Sequence, residues 1–95
     1  MTILFLNGDS DGPSAKVHPG TGGPGLAQVS GNFDGATLTL QIQSINDPNS
    51  AWPPITNGLF TSEDSVKIDY IPAGFFVRAV ISSVGASTDV FCEVR

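Results

Sequence analysis

The chain has little of the cysteine and histidine on which much enzyme chemistry depends. One Cys (Cys92) and one His (His18) stand among 95 residues, of which only 14% are charged. A lone cysteine cannot close an internal disulfide, so the bridge framework that staples many small secreted domains is excluded. Basic residues are scarce: four Lys and Arg face nine Asp and Glu, for a formal net charge of −5. A nucleic-acid binder must neutralise phosphates, and an anionic membrane surface makes the same demand, so both partners are disfavoured. No apolar run reaches the ~18–20 residues that cross a bilayer as a helix. The opening run Thr2-Ile3-Leu4-Phe5-Leu6 stops at Asn7-Gly8-Asp9 and has no positive flank. It does not read as a signal peptide, and the expectation is a chain made in the cytoplasm and left unprocessed.

What the chain has instead is Gly and Pro, 11 and 7 residues. Helix interiors tolerate neither, so long helices are not expected. At 95 residues the length fits one domain, and at 40% apolar content it holds enough for one modest core. The Gly and Pro residues crowd into positions 7–35, where His18-Pro19-Gly20-Thr21-Gly22-Gly23-Pro24-Gly25 is the densest run. That run cannot sustain a helix or a central strand. Residues 7–35 therefore read as an arm or long loop, interrupted at most by short pairings near Ala15–Val17 or Leu26–Ser30. An arm that is ordered only against a partner would meet its ordering cost on binding.

From residue 36 onward the pattern is that of strands. Leu38, Leu40 and Ile42 alternate with Thr37, Thr39, Gln41 and Gln43, which is the period of a half-buried strand. Asp34-Gly35 before it is turn chemistry. Trp52-Pro53-Pro54-Ile55 must be extended, because proline restricts the residue before it. Asn57-Gly58 reads as a hairpin turn into Leu59-Phe60. Residues 65–71 alternate again, and Pro72-Ala73-Gly74 turns the chain. In residues 75–83, Phe75, Val77, Ala79 and Ile81 share one face, while Phe76, Arg78 and Val80 share the other. A last strand over 88–94 places Val90, Cys92 and Val94 inward. With residues 2–6 as an opening strand, the expected fold is all-β: an antiparallel β-sandwich of six to eight strands, jelly-roll or Ig-like. It is one domain over residues 1–95, with the Gly/Pro-rich arm at 7–35 and the main strands at 36–95.

The search for chemistry returns little. Cys92 lies in a strand and reads as a small core side chain, and His18 reads as a solvated loop residue; the two do not make a nucleophile–base motif. Asp9-Ser10-Asp11-Gly12 has the Asp-x-Asp-Gly core of a calcium loop. The bidentate Glu that such a loop needs is Gly20 here, so an acidic turn is the simpler reading. Glu63-Asp64 reads as a solvated turn. The Gly20–Gly25 run lacks the Lys-Ser/Thr end and the following helix of a phosphate loop. Trp52 either packs or stacks on a sugar ring. Arg78 is either a plain surface residue or a paired interface residue, since its planar fork suits a carboxylate. No catalytic, metal or cofactor-binding residue is expected.

One face is left over. Phe76, Val80 and Phe91 fall opposite the face that a two-layer sandwich buries, and that second apolar face calls for a partner. An arm plus a second apolar face is what a subunit of an assembly would carry.

Three segments carry a resemblance: Gly31-Asn32-Phe33-Asp34-Gly35-Ala36-Thr37-Leu38-Thr39-Leu40-Gln41, then Trp52, then Pro72-Ala73-Gly74-Phe75-Phe76-Val77-Arg78-Ala79-Val80. A glycine-flanked aromatic before a Thr-Leu strand, and a Pro-Ala-Gly turn before a Val-Arg-Ala-Val strand, resemble small virion proteins of tailed bacteriophages. The resemblance covers Gly31–Arg95 and leaves out residues 7–30. It is closest to capsid decoration or cement proteins and related head and tail modules, and its motifs are structural.

It implies a non-enzymatic protein on the outer capsid surface that bridges major capsid subunits, often as a homotrimer. Candidate partner contacts are Phe5, Val17, His18 and Leu26 from the N-terminal part, with Trp52, Phe76, Arg78 and Phe91. Deleting the arm through residue 30 is expected to abolish capsid binding and leave the sandwich folded. The alternative is a tail or fibre module that recognises host carbohydrate, with Trp52 as stacking platform.

Overall fold

The computed structural model describes residues 2–8, 11–13, 18–19, 22–44, 46, 51–71 and 73–94; at 2–8, 13, 18–19, 56–57 and 69–71 it describes the backbone only. Among the described residues there is no helix, and the strands are β1 (Thr2–Gly8), β2 (Gly12–Pro13), β3 (His18–Pro19), β4 (Gly23–Asn32), β5 (Thr37–Ser44), β6 (Pro54–Phe60), β7 (Asp64–Ile71), β8 (Phe75–Ser82) and β9 (Asp89–Val94). They form two antiparallel sheets. The first runs β1-β9-β4-β7; the second runs β2-β8-β5-β6, with β3 also paired to β8. Apart from the β5–β6 hairpin and the β2–β3 segment, every connection crosses from one sheet to the other.

The inner faces of both sheets build one core. Ala27 and Val29 of β4, Ile68 of β7, and Val90, Cys92 and Val94 of β9 come from the first sheet. Leu38 and Leu40 of β5, Phe60 of β6, and Val77, Ala79 and Ile81 of β8 come from the second. The alternation that marked β5 and β8 in sequence is the alternation of burial: Val77, Ala79 and Ile81 are buried, while Phe76, Arg78 and Val80 are half-buried on the outer side. Burial of this aliphatic layer, at roughly 25 cal/mol per Å² of apolar surface, is the main driving force.

The arm expected over residues 7–35 is corrected over much of its length. Gly23–Asn32 is a ten-residue strand in the middle of the first sheet, paired to β7 on one side and to β9 on the other. Its inward residues are Gly25, Ala27 and Val29 and its outward ones Pro24, Leu26 and Gln28, so the period was present but the inward side chains are small. Pro24 is tolerated because it sits at a register shift with β7, before the pairing with β9 begins at Ala27. Gly12–Pro13 and His18–Pro19 are two pieces of edge strand on β8. Proline bars a central strand position but not an edge. Deleting residues 1–30 would therefore remove β1 and most of β4, both neighbours of β9, and is no longer expected to leave a folded sandwich.

A second correction concerns Asn57-Gly58, which is no hairpin turn but lies inside β6. Gly58 is buried, and a Cβ there would stand 3.0 Å from the Ile55 carbonyl oxygen and 3.0 Å from the Leu40 Cβ. Glycine is present for close approach of the strands, not for a turn. Asp34-Gly35, by contrast, is a turn as expected. Both residues have positive φ, 46° and 83°, and the Ala36 N–H donates to the Phe33 carbonyl at 2.9 Å.

Candidate functional site

The outer face of the second sheet gathers most of the candidate residues that the structure brings together. Register explains how. In an antiparallel pair, residues directly opposite share a face. Arg78 of β8 is opposite Gln41 of β5, which is in turn opposite Pro54 of β6; Val80 is opposite Thr39, which is opposite Leu59; Phe76 is opposite Gln43. Trp52 reaches the same face from the segment before β6. The Ile42 N–H donates to the Pro53 carbonyl at 3.0 Å, which ties that segment to β5.

Arg78 is held from two directions. Its Nε–H donates to Gln41 Oε1 at 3.0 Å, and its guanidinium carbon lies 4.1 Å from the centroid of the Trp52 ring. Stacking of this kind is worth about 0.5–1 kcal/mol at a partly exposed site. The rest of the face is apolar or uncharged. Phe76 and Val80 are half-buried, and Leu59 is 65% exposed. Arg78 is the only charged side chain on this face among the described residues. The indole face that Arg78 covers is not open to a sugar ring.

Phe91 and Leu26, named with these as partner contacts, lie elsewhere. Both point outward from the first sheet, where Phe91 is opposite Ser30 and Leu26 is opposite Lys67. Phe91 is half-buried and Leu26 is 37% exposed. Glu93, on the same side of β9, is 5% exposed. The candidate set is thus split between two opposite faces and cannot form one patch. Phe5 is aligned with Cys92 and His18 with Val77, by backbone register; their side chains, like Val17 as a whole, lie outside the described residues. Leu59 and Gln41 belong to the site and were not singled out in sequence. The hairpin reading of Asn57-Gly58 hid Leu59, and no sequence signal places Gln41 opposite Arg78.

The connections at one end are tied by polar groups. Asp34 Oδ2 accepts from the Ser87 N–H at 2.9 Å, and Asp11 Oδ1 accepts from the Val84 N–H at 3.0 Å. Buried Thr88 donates its hydroxyl to the Phe33 carbonyl at 2.8 Å and accepts from the Gly85 N–H at 2.9 Å. Asp11 is therefore a tether between connections; Asp9 and Ser10 lie outside the described residues. Glu63 and Asp64 are exposed, and Asp64 Oδ1 accepts from the Ser65 N–H at 2.8 Å. Among the described residues no cluster of His, Cys, Asp and Glu could hold a metal ion.

Cys92 is fully buried in the core. Burial first, and the nearby Glu93 carboxylate second, push its thiol up to about 12 from the ordinary 9.0. A thiol held in that state supplies no thiolate at neutral pH. No protein-family model, curated protein or solved structure matches the chain.

Proposed function

We propose that this chain is a structural protein of a tailed-phage virion, a decoration or cement protein without enzymatic activity. It binds the outer capsid surface and stabilises the shell by bridging major capsid subunits. The observation that carries this reading is the outer face of the second sheet, where exposed Leu59 and half-buried Trp52, Phe76 and Val80 share a face with one positioned Arg78. Trp and Arg held together beside apolar side chains are residue types that interfaces favour. The mechanism is passive: each copy buries apolar area against the shell, and many copies multiply the effect.

The finer fold reading is a jelly roll. Two facing sheets ordered β1-β9-β4-β7 and β2-β8-β5-β6 have the order of two interleaved Greek keys, which favours the jelly roll over the Ig-like arrangement. We read the assembling unit as a homotrimer.

Two measurements test the function. Capsids stripped of the chain should bind it back and withstand a higher temperature when it is bound; absence of binding rejects the proposal. Light scattering after size exclusion should give three times 9.9 kDa for the trimer, and a monomer mass rejects that part alone.

A further inference from the structure

We propose that Trp52 and Arg78 are the anchor of the capsid contact, and that the partner surface supplies a single carboxylate, from an Asp or Glu side chain set among apolar side chains. The inference rests on the virion reading and adds the partner's chemistry to it. Arg78 has five N–H donors. Nε–H is engaged by Gln41, and the paired Nη groups make no further hydrogen bond or ion pair among the described residues. Two parallel donors in a fixed plane match the two oxygens of one carboxylate.

Position and charge argue the same way. Arg78 stands on β8, an interior strand of its sheet, with the Trp52 ring beneath its guanidinium, so little side-chain freedom remains to be lost on binding. Covering Phe76, Val80 and Leu59 would also cover Arg78, and a buried guanidinium without a counter-charge is strongly unfavourable. The partner must therefore bring a negative group to that point. A polyphosphate is disfavoured by the net charge of −5, which repels a polyanion at long range. Trp and Arg are also the residue types that dominate protein–protein binding energy.

The test uses full-length protein and capsids stripped of the chain, from the phage that encodes it. Co-sedimentation compares wild type with R78Q, W52A and, on the opposite sheet, F91A; unfolding midpoints confirm that each variant is folded. R78Q and W52A should each weaken binding by about 30-fold, and F91A by less than about 3-fold. R78K keeps the charge and loses the fork, so it should fall between wild type and R78Q. At saturating R78K, a zero-length carbodiimide should join the amine at position 78 to the partner carboxylate. An amide forms as the carbodiimide is hydrated to its urea, and mass spectrometry of the joined peptides identifies the Asp or Glu.

Joined peptides from position 78 together with the R78Q loss support the proposal. Wild-type binding that R78Q leaves unchanged, or joining only through other amines, overturns the anchor and leaves the virion reading standing. Failure of wild type to bind overturns both, and glycan-array binding lost in W52A would then replace them with the carbohydrate reading.

Discussion

The two sheets share a core and differ in what they show outside. The first sheet presents Gln28, Ser30, Ser65 and Lys67 among its outward residues, with Leu26 and Phe91 dispersed between them. The second presents Phe76, Arg78 and Val80 along β8 with Trp52 against Arg78, then Thr39, Gln41 and Gln43 of β5, and Leu59 beyond Thr39. The strands of both obey the same inside–outside period, so the period says nothing about which outer face has a partner. The distinction lies around the arginine: along β8 Arg78 stands between Phe76 and Val80 and over Trp52, with Thr39, Gln41 and Gln43 of β5 beside them, whereas in the first sheet Leu26 faces Lys67 and Phe91 faces Ser30.

The largest perturbation should strike both faces at once. Leu40, fully buried beneath the second sheet, is part of the layer shared with the first. Leu40→Ala should cost about 2–5 kcal/mol in denaturant unfolding, with one transition for both sheets. Two separated transitions would break the comparison, since the faces would then belong to independent units.

Next comes the first sheet alone. Gly31 has a φ of +105°, and a Cβ there would collide with the Asp89 carbonyl across the β4–β9 ladder. Gly31→Ala should cost more than about 2 kcal/mol, whereas Gly35→Ala, with a positive φ but open space around it, should cost about 1 kcal/mol. Equal losses in thermal unfolding would mean that the close strand approach contributes nothing.

Alkaline pH probes the same sheet from its inner side. The Cys92 thiol stays protonated to about 12 when folded, against 9.0 as the ordinary value. Above pH 9 the unfolded chain releases a proton that the native state retains, so stability falls as pH rises. The loss should be about 1 kcal/mol at pH 10 and absent in Cys92→Ala. A decline of the same size in that variant would assign it to other groups.

The smallest effect is on the second sheet's outer face. A double-mutant cycle with Trp52→Ala and Arg78→Gln should give a coupling of about 0.5–1 kcal/mol in folding stability. Neither substitution should shift the cost of Gly31→Ala. A shift would tie the two outer faces together and weaken the contrast between them.

β5 and β8 were legible in the sequence because large aliphatic residues alternate with polar or outward ones, and the structure places them at Thr37–Ser44 and Phe75–Ser82. β4 was obscured for a physical reason. Its inward positions Gly25 and Ala27 are small, and its Gly and Pro lower local strand preference; ladder bonds to β7 and β9 on both sides override that preference. Gly58 was misread because one residue type serves both turns and tight approaches. At the candidate site Trp52, Phe76 and Arg78 were legible one by one. Their grouping with Gln41 and Leu59 was not, because it depends on register between strands distant in sequence.

The place of β4 between β7 and β9 has a consequence for synthesis. Both neighbours are made after it, so while the chain emerges from the ribosome β4 has no partner for either edge, and β1 likewise waits for β9. Among the described strands only β5–β6 pairs as a local hairpin, so the first sheet is completed late in translation. A product that stops short of β9 would leave Val29 and its neighbours uncovered and be open to aggregation or proteolysis. The topology thereby acts as a completeness check: molecules lacking β9 cannot join β1 to β4, and their first sheet stays open.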